Sequence, residues 1–177
     1  MNQFAQSGPS LQEIFDLIQE TPFGQVVYGQ FYALYKAGKL KIQSYPLALR
    51  SKLLAVQTPG CPLGAVFITD GEEGQILYEA EGKLGILVPF IFHEIIHSLD
   101  ERIWKAAGKD LKPSEKEELI YSSECLAFSA QHEFQEGLKA IYPELRIFHR
   151  NQYPRLDFLN RAISPKEISK LYHLSEK

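Results

Sequence analysis

Apolar positions near the start of the chain fall at helical spacing. Leu11, Ile14, Phe15 and Ile18 recur at three- and four-residue steps, the stripe of an amphipathic helix. Ser10 with Glu13 three residues later makes a capping box, so a short helix is expected over 10–20. Thr21-Pro22 repeats the start signal, and a second helix is expected to run to Ala37 with Gly38 as its stop. Its aromatic residues Phe23, Tyr28, Phe31, Tyr32 and Tyr35 are expected to pack in the core rather than form a binding platform.

The period changes after Leu40. Leu40 to Gln43 alternates weakly, and Leu53 to Gln57 is a short apolar run of ambiguous type. Gly64 to Thr69 and Gln75 to Glu81 are β-prone runs joined by the polar, Gly-rich loop 70–74, a hairpin signal. A small, mainly antiparallel sheet of three or four strands is therefore expected over 40–81. The run 75–81 alternates less cleanly than its partner and is assigned the edge, where an extended peptide can add as a further strand. An apolar helix follows over 88–107, starting near Pro89 and stopping at Gly108. Another over 114–138 opens with a capping box in Pro113-Ser114-Glu115-Lys116-Glu117. Two further helices are expected around 154–163 and from Ser164-Pro165 to Leu174. The fold class is thus α+β, with the sheet packed on the helix of 88–107 and a helical C-terminal half. No linker or repeat divides residues 1–177, which are read as one domain.

Composition narrows the picture without changing it. The chain has 177 residues, 45% of them hydrophobic and 23% charged, ordinary for a soluble globular domain. Its net charge of −3 gives no support for nucleic-acid binding. Residues 139–177 carry 8 Lys/Arg against 4 Asp/Glu, a modestly basic segment that reads as solvated surface. The longest apolar run, Ile86 to Phe92, is too short to span a bilayer, and no leader is visible at Met1. Cys61 and Cys125 sit in unrelated settings, so a reduced, cytoplasmic protein is the simpler expectation.

The chemistry lies in His93-Glu94-Ile95-Ile96-His97. Two histidines four apart on a helix project from one face, where a single tetrahedral zinc ion can take both imidazoles. Glu94, rotated off that axis, is placed to act as general base toward a metal-activated water without being a ligand. A catalytic zinc site needs a third protein ligand. Glu124 is the best candidate, because a carboxylate among Leu126, Ala127 and Phe128 is costly unless it pairs or coordinates. The small neighbours Ser123, Ala127 and Ala130 would let its helix approach closely. The competing assignment is a solvent-facing Glu124 on a polar stripe; His132, His149 and His173 sit in less suggestive settings. Asp100 shares the face of His93 and His97, and is expected to accept a hydrogen bond from a ligand imidazole or to anchor a neighbouring loop. Glu94 and His97 also form a Glu-x-x-His unit, but a di-iron bundle needs a second copy and the chain has none.

His93-Glu94-x-x-His97-Ser98-Leu99-Asp100 with Glu124-Cys125-Leu126-Ala127-Phe128 resembles the gluzincin branch of zinc metallopeptidases. Within it, the string is most similar to anthrax-lethal-factor-like catalytic domains and Mlc-titration-factor-like peptidases. The likeness covers residues 90–132. It implies a zincin-like fold, zinc held by His93, His97 and Glu124, Glu94 as general base, and a peptide or protein substrate. Peptidases of this kind often use a Tyr or His to stabilise the oxyanion. Tyr121 is the candidate here, although its spacing departs from the lethal-factor-like pattern, and Tyr142, Tyr153 and His149 are alternatives. The rival function is a catalytically silent module that binds a regulatory protein, a role suggested by the Mlc-titration-factor likeness.

Overall fold

The computed structural model describes residues 8–56 and 63–146. The helices expected beyond residue 153, together with His149, Tyr153, His173 and Cys61, lie outside the described residues. The elements, in order, are helices α1 (Leu11–Ile18) and α2 (Pro22–Lys36), strand β1 (Leu40–Ser44), helix α3 (Leu47–Val56), strands β2 (Ala65–Thr69) and β3 (Gly74–Tyr78), and helices α4 (Leu84–Leu99), α5 (Glu101–Ala106) and α6 (Pro113–Ile141). The class is α+β, with a three-stranded sheet among the described residues and a helical C-terminal half.

Local signals set the N-terminal helices as expected. The Ser10 hydroxyl accepts from Glu13 N at 3.2 Å, and the Glu13 carboxylate accepts from Ser10 N at 2.7 Å. Thr21 Oγ1 accepts from Gly24 N at 2.9 Å, with Pro22 in the first turn of α2. At the other end Lys39 N reaches Leu34 O and Gly38 N reaches Tyr35 O, a double closure that needs the positive φ of Gly38 (+72°). The aromatic stripe of α2 divides. Phe31 is fully buried and Phe23 meets Phe92 edge-on, whereas Tyr32 and Tyr35 are exposed, so only part of the stripe is core.

The sheet corrects two expectations. Its order is β1–β3–β2, with β1 parallel and β2 antiparallel to β3, so it is mixed rather than mainly antiparallel. The strand assigned to the edge, β3, is central. Ile76, Leu77 and Tyr78 are all buried, because a strand covered on both faces loses its alternation. The blurred period that suggested an edge was the mark of an interior strand. β3 also ends at Tyr78: Glu79 is buried and takes Arg50 of α3 on both carboxylate oxygens, at 3.0 and 2.8 Å.

The apolar helix starts earlier and ends sooner than its proline and glycine suggested. α4 opens at Leu84, leaving Pro89 inside the helix, unable to donate an N–H to the Gly85 carbonyl. It breaks at Asp100, whose ψ is 97° and whose carboxylate caps α5 by accepting from Arg102 N at 3.0 Å. Gly108, with φ +72°, follows α5. Leu87, Val88, Ile91, Phe92, Ile95 and Ile96 are buried around α4, which packs against α1, α2, β2, β3 and α6. Removing each large side chain from water contributes about 1.5–3 kcal/mol. α6 opens at Pro113, and Glu115 closes half a capping box by accepting from Lys112 N at 3.0 Å. Trp104 of α5 lies over Phe67 and over Gly74, where an added Cβ would sit 2.7 Å from the indole. Among the described residues no helix is long and apolar enough to cross a membrane.

Candidate metal centre

One helix turn separates His93 from His97 on α4, and their Nε2 atoms face each other at 3.0 Å. Glu124 reaches them from α6, with Oε2 at 3.3 Å from His93 Nε2 and Oε1 at 3.4 Å from His97 Nε2. All three residues are buried, and one ligand atom from each lies within 4.8 Å of the others, close enough to bind a metal ion. Ser123, Ala127 and Ala130 are buried along α6, as close approach to α4 requires. The pairs His97–Ser123, His93–Gln131 and Phe92–Phe134 run in opposite senses along the two helices, which are therefore antiparallel.

The far side of each imidazole is fixed. His93 Nδ1 is 2.9 Å from Gln131 Oε1, an acceptor, so Nδ1 carries the proton. His97 Nδ1 is 2.9 Å from Ser123 Oγ. Burial would push the Asp100 carboxyl up, but Arg102 and the Ser123 hydroxyl hold it below its ordinary value; a carboxylate cannot donate, so Ser123 turns its proton toward Asp100 and accepts from His97. Both Nε2 atoms then present lone pairs toward a carboxylate. Three acceptors converging in a buried space call for a cation.

The electrostatics agree. In the metal-free site an added proton at the facing Nε2 atoms lets the imidazoles donate to Glu124: burial would push its carboxyl up, but hydrogen bonds and charge from His93 and His97 then hold it well below the ordinary carboxylate range. Burial would push His97 down, but its hydrogen bond to Glu124, with the charges of Glu94, Glu124 and Asp100, raises it above its ordinary value. Without a metal, a proton on this triad takes the cation's part.

Glu94 stands beside the triad with Oε2 accepting from Phe67 N at 2.8 Å. Because β3 flanks β2 on its other side, this amide lies on the open edge of β2. A cavity of about 490 Å³ adjoins His93, Glu94, His97 and Glu124. Its apolar walls are Val66 and Phe67 of β2, Phe90 of α4, Ile103 of α5, and Leu119 and Ile120 of α6.

Tyr121 is not part of this arrangement. It does not line the cavity. The reason is angular. At about 100° per residue, Ile120 and Ser123 lie to one side of Glu124, whereas Tyr121 falls about 60° to the other. The oxyanion candidate Tyr121 therefore stands off the cavity wall. Tyr142 also lies outside the cavity wall. Asp100 reaches His97 through Ser123 rather than directly. The partners that sequence reasoning missed are Gln131 and the hydroxyl of Ser123. Gln131 carried a signal: it lies seven residues after Glu124, two turns along the same face. His132 is not in the cluster.

Comparison with models of known protein families, with curated proteins and with solved structures gives no match.

Proposed function

We propose that this chain is a zinc-dependent metallopeptidase of the gluzincin type, with its sheet and α4 in a zincin-like arrangement. The observation that carries the reading is the convergence of three buried acceptors, His93 Nε2, His97 Nε2 and the Glu124 carboxylate, beside an open cavity bordered by Glu94. Two imidazoles and one carboxylate are a donor set that suits zinc with a position left for water or substrate; purely structural sites are closed by four protein ligands.

A bound zinc ion supplies Lewis acidity, lowering the pKa of water and polarising a carbonyl. Glu94 takes the proton of the attacking water and delivers it to the leaving amine. Its Oε2 is held by the Phe67 amide, which fixes the carboxylate at the cavity wall. The peptide lies along β2, the free edge on the cavity side, in place of the β3 edge expected from sequence. The apolar walls favour peptides with apolar side chains next to the scissile bond.

The test is metal content and turnover together. Reconstituted protein should hold one zinc and cleave members of a peptide library, and Glu94→Gln should keep the zinc and lose cleavage. Zinc binding that survives His93→Ala, or cleavage that survives Glu94→Gln, would overturn the proposal.

A further inference from the structure

We propose that Ser123 and Asp100 are positioning residues for His97, forming a relay that fixes the proton on Nδ1 and presents Nε2 to the metal. The inference rests on the metal reading above and extends it to residues that touch neither metal nor substrate.

Both imidazoles are anchored, but by different chemistry. His93 donates to the neutral amide of Gln131. His97 Nδ1 lies 2.9 Å from a hydroxyl, Ser123 Oγ, which also helps hold the Asp100 carboxyl below its ordinary value. Asp100 is itself tightly held and buried: Arg102 Nε binds Oδ1 at 2.8 Å, Arg102 Nη2 binds Oδ2 at 2.7 Å, and Arg102 N caps onto Oδ1. Arg102 Nη1 also reaches Ser122 Oγ at 3.0 Å, tying α5 to α6 beside the relay. The break between α4 and α5 at Asp100 places this carboxylate against α6 rather than leaving it on a continuous helix. Carboxylates that back a metal-binding imidazole fix its tautomer and raise its basicity, and losing one typically lowers metal affinity about 10–100-fold. Here the negative charge acts through one intervening hydroxyl, so the two residues should behave as a unit.

The experiment measures zinc affinity by chelator competition in the full chain, alongside the His97 Nδ1–H proton by NMR of the zinc-loaded protein. Ser123→Ala should lower affinity about 10–100-fold and turn a slowly exchanging, downfield proton into a rapidly exchanging one. Asp100→Asn, which keeps the capping acceptor but removes the charge, should weaken binding on its own and add little in the Ser123→Ala background. Ser123→Thr should restore most of the affinity by returning the hydroxyl. If Ser123→Ala does not fold, Asp100→Asn with the same two readouts decides the matter. Affinity within about twofold of wild type, with the Nδ1 proton still protected, would refute the relay while leaving the metal centre standing. Additive losses from the two substitutions would also refute it. A wild-type chain that binds no zinc would overturn the relay together with the metal reading beneath it.

Discussion

The α4–α6 interface has two ends that obey different rules. At one end Phe92 and Phe134 stack with centroids 4.1 Å apart and planes within 13°, both fully buried, and every atom there favours the folded state. At the other end the same two helices bury His93, His97, Glu124, Gln131 and Ser123. That end is costly when metal-free, because its polar groups are withdrawn from water around a shared acceptor space. Stability resides at one end of the interface and the ligands at the other. The apolar seam fixes the distance between the helices, and the polar end uses that fixed distance to hold ligands.

The apolar seam carries the largest share of the stability. Phe134→Ala should destabilise the protein by about 3–5 kcal/mol, by transfer plus cavity, as read by denaturant unfolding of metal-free protein. Zinc should act only at the other end. At free zinc about a thousandfold above its Kd, the wild type should gain about 4 kcal/mol of stability, and Glu124→Ala should lose that gain. Without zinc, Glu124→Ala should change stability less than Phe134→Ala does.

The polar end should also titrate whereas the seam does not. The His97 pKa is raised by folding, so in metal-free protein its contribution is full below its ordinary value near 6.5 and is lost as pH rises through the folded value. Glu124, depressed by folding, contributes above about 4.5, and that contribution is lost as pH falls through its folded value. Metal-free protein should therefore lose stability on the alkaline side. Zinc-loaded protein should not, since rising pH removes the protons that compete with the metal. Thermal melts from about pH 5 to 9, with and without zinc, check both slopes.

Much of this was legible in the chain, and the misses have physical causes. The two histidines and Glu94 are fixed by their spacing on one helix. Glu124 was readable because a carboxylate among Leu126, Ala127 and Phe128 loses its hydration, a cost that only a cation or a donor can offset, although of these three Leu126 is exposed. Tyr121 lies off the cavity because three residues back and four residues back fall on opposite sides of a helical position, and the cavity takes the side of Ile120. The place of β3 in the sheet is a tertiary fact: burial on both faces erases the alternation that distinguishes an edge. The break at Asp100 was hidden because the residues on both sides of it are good helix formers. Its carboxylate is drawn to Arg102 and Ser123, a pairing no local pattern records. Leu53 to Val56 is the end of helix α3, whose earlier turns carry Arg50, paired with Glu79; Gln57 lies outside the described residues.

The smallest expected effect concerns the cavity wall. Ile120→Ala enlarges the space beside Glu124 and should lower the preference for large over small apolar side chains roughly tenfold in kcat/KM, leaving zinc affinity unchanged.

The most direct measurement is anomalous diffraction at the zinc edge from crystals of zinc-loaded protein. The expected result is one ion bonded to His93 Nε2, His97 Nε2 and Glu124 at about 2.0–2.2 Å, with its fourth position open to the cavity beside Glu94. An ion bound elsewhere, or a fourth protein ligand closing the site, would contradict the account.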